Sequence, residues 1–172
     1  MVGKSRVNAK VVTSKAIGHD SDAFRELIAL LYASSGRLQS MRRALAQHLG
    51  VEASEMATLL ALEHLRRKGD VSVSAIAKHL HIMAANITST LSRLESLGWI
   101  RKQPHPNDVR RLCITLTPKA LTALATLHVK LDKVNEAWFG SMKSEELATI
   151  LAFLARIERR FPAALHLASQ DE

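Results

Sequence analysis

AANITSTLSRLESLGWIRKQPHPNDVRRLCITLTP, the stretch from Ala84 to Pro118, decides how this chain is read. Ile87, Leu91 and Leu94 recur at helical spacing and form one apolar stripe. On a wheel of about 3.6 residues per turn, Ala85, Ser89 and Ser92 project from the opposite side, with Asn86 and Arg93 flanking them. That side carries small and hydrogen-bonding groups and no carboxylate, which suits close approach to base edges and phosphates. Gly98 marks the helix end, as glycine past a C-terminus commonly does. Trp99 to Gln103 then reads as a strand and Leu112 to Thr117 as its partner, with Leu112, Ile114 and Leu116 sharing one face by alternation. Between them, residues 104–111 hold Pro, Asn and Asp, the residues of turns, and put Arg110 and Arg111 at the tip of a hairpin. Helix plus hairpin by itself also describes an ordinary amphipathic helix and surface hairpin. The order of the pieces and the residues at their joints narrow it.

Outward from this stretch the same punctuation continues. Ala75 to Leu80 reads as a short helix capped by Ser74, and His81-Ile82-Met83 as the turn into the next, the spacing of a helix-turn-helix unit. Val71 to Val73 reads as a short strand completing the sheet, and Glu52 to Arg67 as a helix with Met56, Leu59, Leu60 and Leu65 apolar. Asp20, Ser21 and Asp22 open a long first helix that Gly50 ends. Phe24, Leu31, Leu38 and Leu45 repeat every seven residues along it, a seam suited to helix–helix packing. Thr117-Pro118 opens a fifth helix, with Leu121, Leu124, Leu131, Val134 and Trp138 on its apolar face and Gly140 at its end. A last helix starts near Ser144, carries Leu147, Ile150, Leu151, Leu154 and Ile157, and is expected to stop at Pro162. The fold class is mainly α with a small β wing.

Leu80-His81-Ile82, Thr88, Leu91, Arg93-Leu94, Gly98-Trp99-Ile100, Pro104, Pro106-Asn107-Asp108, Arg110 and Leu116-Thr117-Pro118-Lys119 resemble the pattern of MarR-type winged helix-turn-helix transcription regulators. The most specific part is the wing: an Asp, one variable residue, an Arg, then a strand ending in Leu-Thr. Asp108, Val109, Arg110 and Leu116-Thr117 match it without a gap. Val109 replaces a commonly basic residue, and Ser89 stands where the family often has Arg. The likeness runs at lower density from Phe24 to Phe161.

The resemblance implies a winged helix-turn-helix at 51–116 and a helical dimerisation layer from 19–50 and 117–163, flanked by an arm at 1–18 and a tail at 164–172. It also implies a homodimer on double-stranded DNA at a pseudo-palindromic operator, repressing there. The DNA-contacting set is then Ala85, Asn86, Thr88, Ser89, Ser92 and Arg93 on the helix, with Asp108, Arg110 and Arg111 on the wing, Asp108 orienting the wing through a salt bridge. Relatives sense small organic compounds between the two layers, which implies an anionic aromatic or acyl effector. Tyr32, Arg37, Met41, Arg42, His64 and Trp138 lie on helices that would flank that space.

Composition agrees with a phosphate-rich partner. The 172-residue chain has a formal charge of +8 and a pI near 10.1. Residues 66–111 hold nine Lys and Arg against three acids. Lys4, Arg6, Lys10 and Lys15 make the first 18 residues a basic arm. Aromatics are only 4%, which argues against base stacking on aromatic platforms. Neither a membrane-length apolar run nor a signal-peptide core is evident, so a cytoplasmic location is expected.

Cys113 is the only cysteine, which precludes an internal disulfide. Eight histidines raise metal binding, but none form a His-x-x-x-His pair on one helix face. No nucleophile elbow, P-loop or Rossmann glycine pattern occurs, so no enzyme activity, metal or cofactor is expected. The competing readings are a helical interaction or small-molecule-sensing protein without sequence-specific DNA binding, and a metal- or redox-responsive regulator.

Overall fold

The computed structural model describes residues 21–105 and 108–170, without the side chains of 105 and 108–111. Among these residues six α-helices and one hairpin follow in order: α1 (Asp22–Leu49), α2 (Ala53–Leu65), α3 (Val73–Leu80), α4 (Ala84–Ser96), β1 (Ile100–His105), β2 (Asp108–Leu116), α5 (Pro118–Phe139) and α6 (Ser144–Ala168). A one-turn 3-10 helix, Arg66–Lys68, extends α2. The basic arm at 1–18 and the turn residues Pro106 and Asn107 lie outside the described residues. The chain forms two compact units, one ending at Leu127 and one beginning at His128.

The first unit is built on the apolar faces read from the sequence. Met56, Leu59 and Leu62 of α2, Ile76 of α3, and Ile87, Leu91 and Leu94 of α4 are all buried. Leu45 and Ala46 near the end of α1, Trp99, Ile100, Ile114, and Leu124 of α5 join them in the core. Burying one such side chain contributes roughly 1.5–3 kcal/mol, so this cluster is what holds α4 at a fixed place.

The helix ends follow local chemistry. Ser21 caps α1 through Phe24 N–H, and Gly50 ends it in the left-handed region at φ 66°. Gly98, at φ 72°, turns the chain from α4 into β1, a conformation that costs a side-chain-bearing residue but not glycine.

Four expectations are corrected. Val71–Val73 is not a strand: Ser72 accepts a hydrogen bond from Ala75 N–H and starts α3 at Val73, so Ser72 is the cap rather than Ser74. Among the described residues the sheet therefore has two strands. The strands also run further into 104–111 than the turn residues suggested. Pro104 pairs opposite Leu112, with an irregularity between Pro104 and His105. A proline is accommodated because a two-stranded ribbon consists of edge strands. Finally, α6 continues through Pro162 to Ala168. Proline there removes one backbone hydrogen bond, while Phe161 and Leu165 carry the apolar stripe onward.

In the second unit, none of the residues of α6 is buried. Leu147, Ile150, Leu151, Leu154, Ile157, Phe161 and Leu165 form an exposed apolar stripe on it. Trp138 and Phe139 at the end of α5 stack with ring centroids 4.8 Å apart. A Cβ at Gly140 would collide with the Glu136 carbonyl oxygen, which explains glycine at this exit.

Candidate nucleic-acid interface

With Ile87, Leu91 and Leu94 turned into the core, α4 exposes Ala85, Asn86, Thr88, Ser89, Ser92 and Arg93 together. The hydroxyl groups on this face are occupied by the helix itself. Thr88 Oγ1 donates to Ala84 O at 3.1 Å, Ser89 Oγ to Asn86 O at 3.0 Å, and Ser92 Oγ to Thr88 O at 3.0 Å. Their oxygens face outward as acceptors, and each rotor can turn to donate to a phosphate at the cost of one local bond.

Four side-chain ties hold this helix. Arg93 Nε meets Glu55 Oε1 of α2 at 2.6 Å, with the Glu55 side chain 3% exposed and that of Arg93 63% exposed. Glu95 Oε2 meets Lys102 Nζ of β1 at 3.0 Å, and Glu95 Oε1 accepts from Lys102 N–H at 3.1 Å. The Lys102 side-chain hydrogen bond is the main reason the Glu95 carboxyl titrates below its ordinary value. Lys102 Nζ also reaches Ser92 Oγ at 3.2 Å. At the C-terminal end Lys119 Nζ donates to Leu97 O at 2.9 Å and lies 4.6 Å from the Trp99 ring centroid. A cation at a helix C-terminus is favourably placed. Buried Thr117 completes the frame: Oγ1 donates to Gly98 O at 2.8 Å and accepts from Ala120 N–H at 3.3 Å.

Entry into α4 is made by His81, the C-cap of α3, at φ 54°. The backbone of Asp108, Arg110 and Arg111 lies in β2, while their side chains lie outside the described residues. Arg66, Arg67, Lys68 and Arg101 are exposed.

Of the effector candidates, Tyr32, Arg37, Met41, Arg42 and His64 lie in the first unit. Arg42 lines a shallow groove of about 340 Å³ with Gln39, Arg43, Glu52, Ala53 and Ser54. Tyr32, Arg37, Met41 and His64 are not among its lining residues. His64 stacks instead on His79, ring centroids 5.1 Å apart. Trp138 belongs to the second unit. Cys113 is half-buried, with Sγ 3.8 Å from Asp70 Oδ1. Among the described residues no three His, Cys, Asp or Glu gather as a metal-binding group, and no helix is long and apolar enough to cross a membrane.

Sequence reasoning missed Glu55, Glu95, Lys102 and Lys119 as the groups that hold the helix. One signal was present: Glu52 and Glu55 stand at the spacing of a capping box, and Glu52 N–H does donate to Glu55 Oε2 at 2.7 Å.

Comparison with known proteins bears on the same region. Residues 54–112 match the family model described as the MarR family. The multiple antibiotic resistance protein MarR of Salmonella typhimurium is 25% identical over 141 residues, 80% of this chain and 96% of that protein. The HTH-type transcriptional regulator PecS of Dickeya dadantii is 39% identical over 102 residues, 57% of this chain. The match spans 61% of PecS, and 60% of a further relative from Thauera aromatica. In structure, the S. aureus MepR–DNA complex superposes with a TM-score of 0.68 at 16% identity, over 86% of this chain and 99% of that one, a shared fold.

Proposed function

The chain belongs to the MarR-type winged helix-turn-helix family, and from that premise we propose that it is a transcriptional regulator that binds DNA sequence-specifically. It acts as a homodimeric repressor on a pseudo-palindromic operator. The observation that carries this is the exposed face of α4: amide, hydroxyl and guanidinium groups without a carboxylate, on a helix pinned from below by buried Ile87, Leu91 and Leu94. Such a face can place donors and acceptors against base edges in a major groove. The surplus of cations over residues 66–111 supplies the phosphate attraction, and Arg110 of the wing is assigned to the flanking minor groove.

Dimerisation is supported by apolar surface that each unit leaves uncovered. Leu27, Ile28, Leu30, Leu31 and Leu38 of α1 are exposed, as is the stripe on α6. Continuous apolar stripes of this kind mark interfaces between chains. Two-fold symmetry would set the recognition helices about one DNA turn, ~34 Å, apart.

Release by a small anionic aromatic or acyl compound completes the proposal. Its support is the family likeness and the cationic groove beside Arg42 and Arg43. The test of the whole is selection of bound sequences from random duplex, then affinity for the selected site over a salt series. Affinity must fall steeply with salt and exceed that for random duplex. Flat salt dependence would leave the interaction-protein reading in its place.

A further inference from the structure

Glu55 is an ionisable side chain in the core of the first unit that the DNA face does not itself use. Its carboxylate is fully engaged: Oε2 accepts from Glu52 N–H, and Oε1 meets Arg93 Nε at 2.6 Å. The two ends of that ion pair differ sharply, with the Glu55 side chain 3% exposed and Arg93 63% exposed. Arg93 has no other side-chain partner among the described residues. Its two Nη groups are thus uncommitted while its Nε is anchored, on the helix face that carries Asn86 and Ser89.

A guanidinium is a rigid planar fork, so a buried carboxylate held against Nε narrows the directions in which the Nη pair can point. That pair is the geometry with which arginine reads guanine O6 and N7 bidentately. The buried carboxylate has a second effect. It neutralises Arg93 in the long-range field, so Arg93 adds little to sequence-independent attraction by phosphates.

We infer that Glu55 is a specificity-determining positioning residue. It holds Arg93 in one orientation for a guanine edge and suppresses its use as a free phosphate-binding cation. The inference rests on the DNA-binding reading and adds to it which base Arg93 meets and which buried residue enforces that choice.

The two effects of removing Glu55 have opposite signs, which separates positioning from a merely structural role. Glu55→Gln keeps an oxygen to accept from Glu52 N–H but removes the charge that holds Arg93. Affinity for random-sequence duplex should rise, and the slope of log affinity against log salt should steepen by about 0.9, one phosphate contact. Discrimination between the selected site and the same site with the Arg93-contacted G·C changed to A·T should fall about tenfold. A structural defect alone would lower both affinities together.

Three companions close the test. In an Arg93→Ala background, Glu55→Gln should change neither quantity. If the Gln variant melts below the assay temperature, Glu55→Asp keeps the charge and shortens the reach. It should then lose discrimination with an unchanged salt slope. Footprinting of the wild type identifies the contacted pair. Wild-type protein that prefers its selected site while Glu55→Gln leaves both slope and discrimination unaltered overturns the positioning role and leaves DNA binding standing. Wild-type protein without any site preference overturns both.

Discussion

Replacing Thr117 by Val tests whether α4 is held by its C-terminal frame or only by its apolar face. Valine fills nearly the same volume, so no cavity forms. What changes is hydrogen bonding at a buried residue. The Ala120 N–H loses its cap, which costs about 1 kcal/mol at a helix N-terminus. Gly98 O loses the hydroxyl at 2.8 Å, and an under-satisfied carbonyl costs about 1–2 kcal/mol more. Trp99 O keeps Thr117 N–H at 3.0 Å and is not orphaned. The added methyl returns about 0.8 kcal/mol of apolar burial. The net loss is about 2 kcal/mol, which for a chain of this size lowers Tm by about 4–8 °C. Differential scanning calorimetry of wild type, Thr117→Val and Thr117→Ser provides the measurement. Serine retains the hydroxyl, so its loss should stay below about 1 kcal/mol. A valine variant melting within 1 °C of wild type, or a serine variant as weak as valine, would refute the assignment of the frame to Thr117.

Arg110→Ala should weaken operator binding measured by fluorescence anisotropy while leaving Tm unchanged; an unaltered Kd would remove the wing arginine from the interface. Sedimentation at micromolar concentration should give a dimer, and a monomer there would contradict the role given to the exposed stripes of α1 and α6. His81→Gly should raise stability by about 0.5–1 kcal/mol, because glycine avoids the left-handed cost at φ 54° and gives back part of it as chain entropy; a lower Tm would show that the imidazole is required there. The Glu95 carboxyl titrates below its ordinary value, so its tie to Lys102 is present above that value and lost as pH falls through the depressed one. Lys102→Met should abolish that acid-side component of a stability–pH profile, and an identical profile would assign no stability to the tie.

Much of the fold is written in local chemistry. Ser21, Gly50, Gly98 and Thr117-Pro118 mark element ends because capping and left-handed exits depend on the residue at the joint. The alternation of Leu112, Ile114 and Leu116 announces the wing, although only Ile114 is fully buried. Ser74 suits a cap by residue type, but Ser72, two residues earlier, is the one that meets Ala75 N–H. The positions of Pro104 and Pro162 misled for the same reason: each removes one donor, and the surrounding apolar pattern decides whether that loss is tolerated. Glu55 and Arg93 stand 38 residues apart. Nothing periodic links them, so the pair exists only once α2 and α4 have packed.

The ties on α4 also constrain how any ligand could release DNA. Turning α4 alone would break Arg93–Glu55 against α2, Glu95–Lys102 against β1, and Lys119–Leu97 against the start of α5. It would also withdraw Ile87, Leu91 and Leu94 from a core where each contributes roughly 1.5–3 kcal/mol. A ligand shifts an equilibrium only by its differential affinity for the two states, and a hundredfold preference is worth about 2.7 kcal/mol. That is less than the burial of Ile87 and Leu91 together. If an effector releases the proposed dimer from DNA, the lowest-cost route would move α2, α3, α4 and the wing as one body, changing the spacing between the two copies of α4 and leaving each seated in its own core. Hydrogen exchange distinguishes the two routes. Amides of α4 should keep their protection when an effector displaces DNA, and deprotection of 87–94 on release would show that the helix itself comes loose.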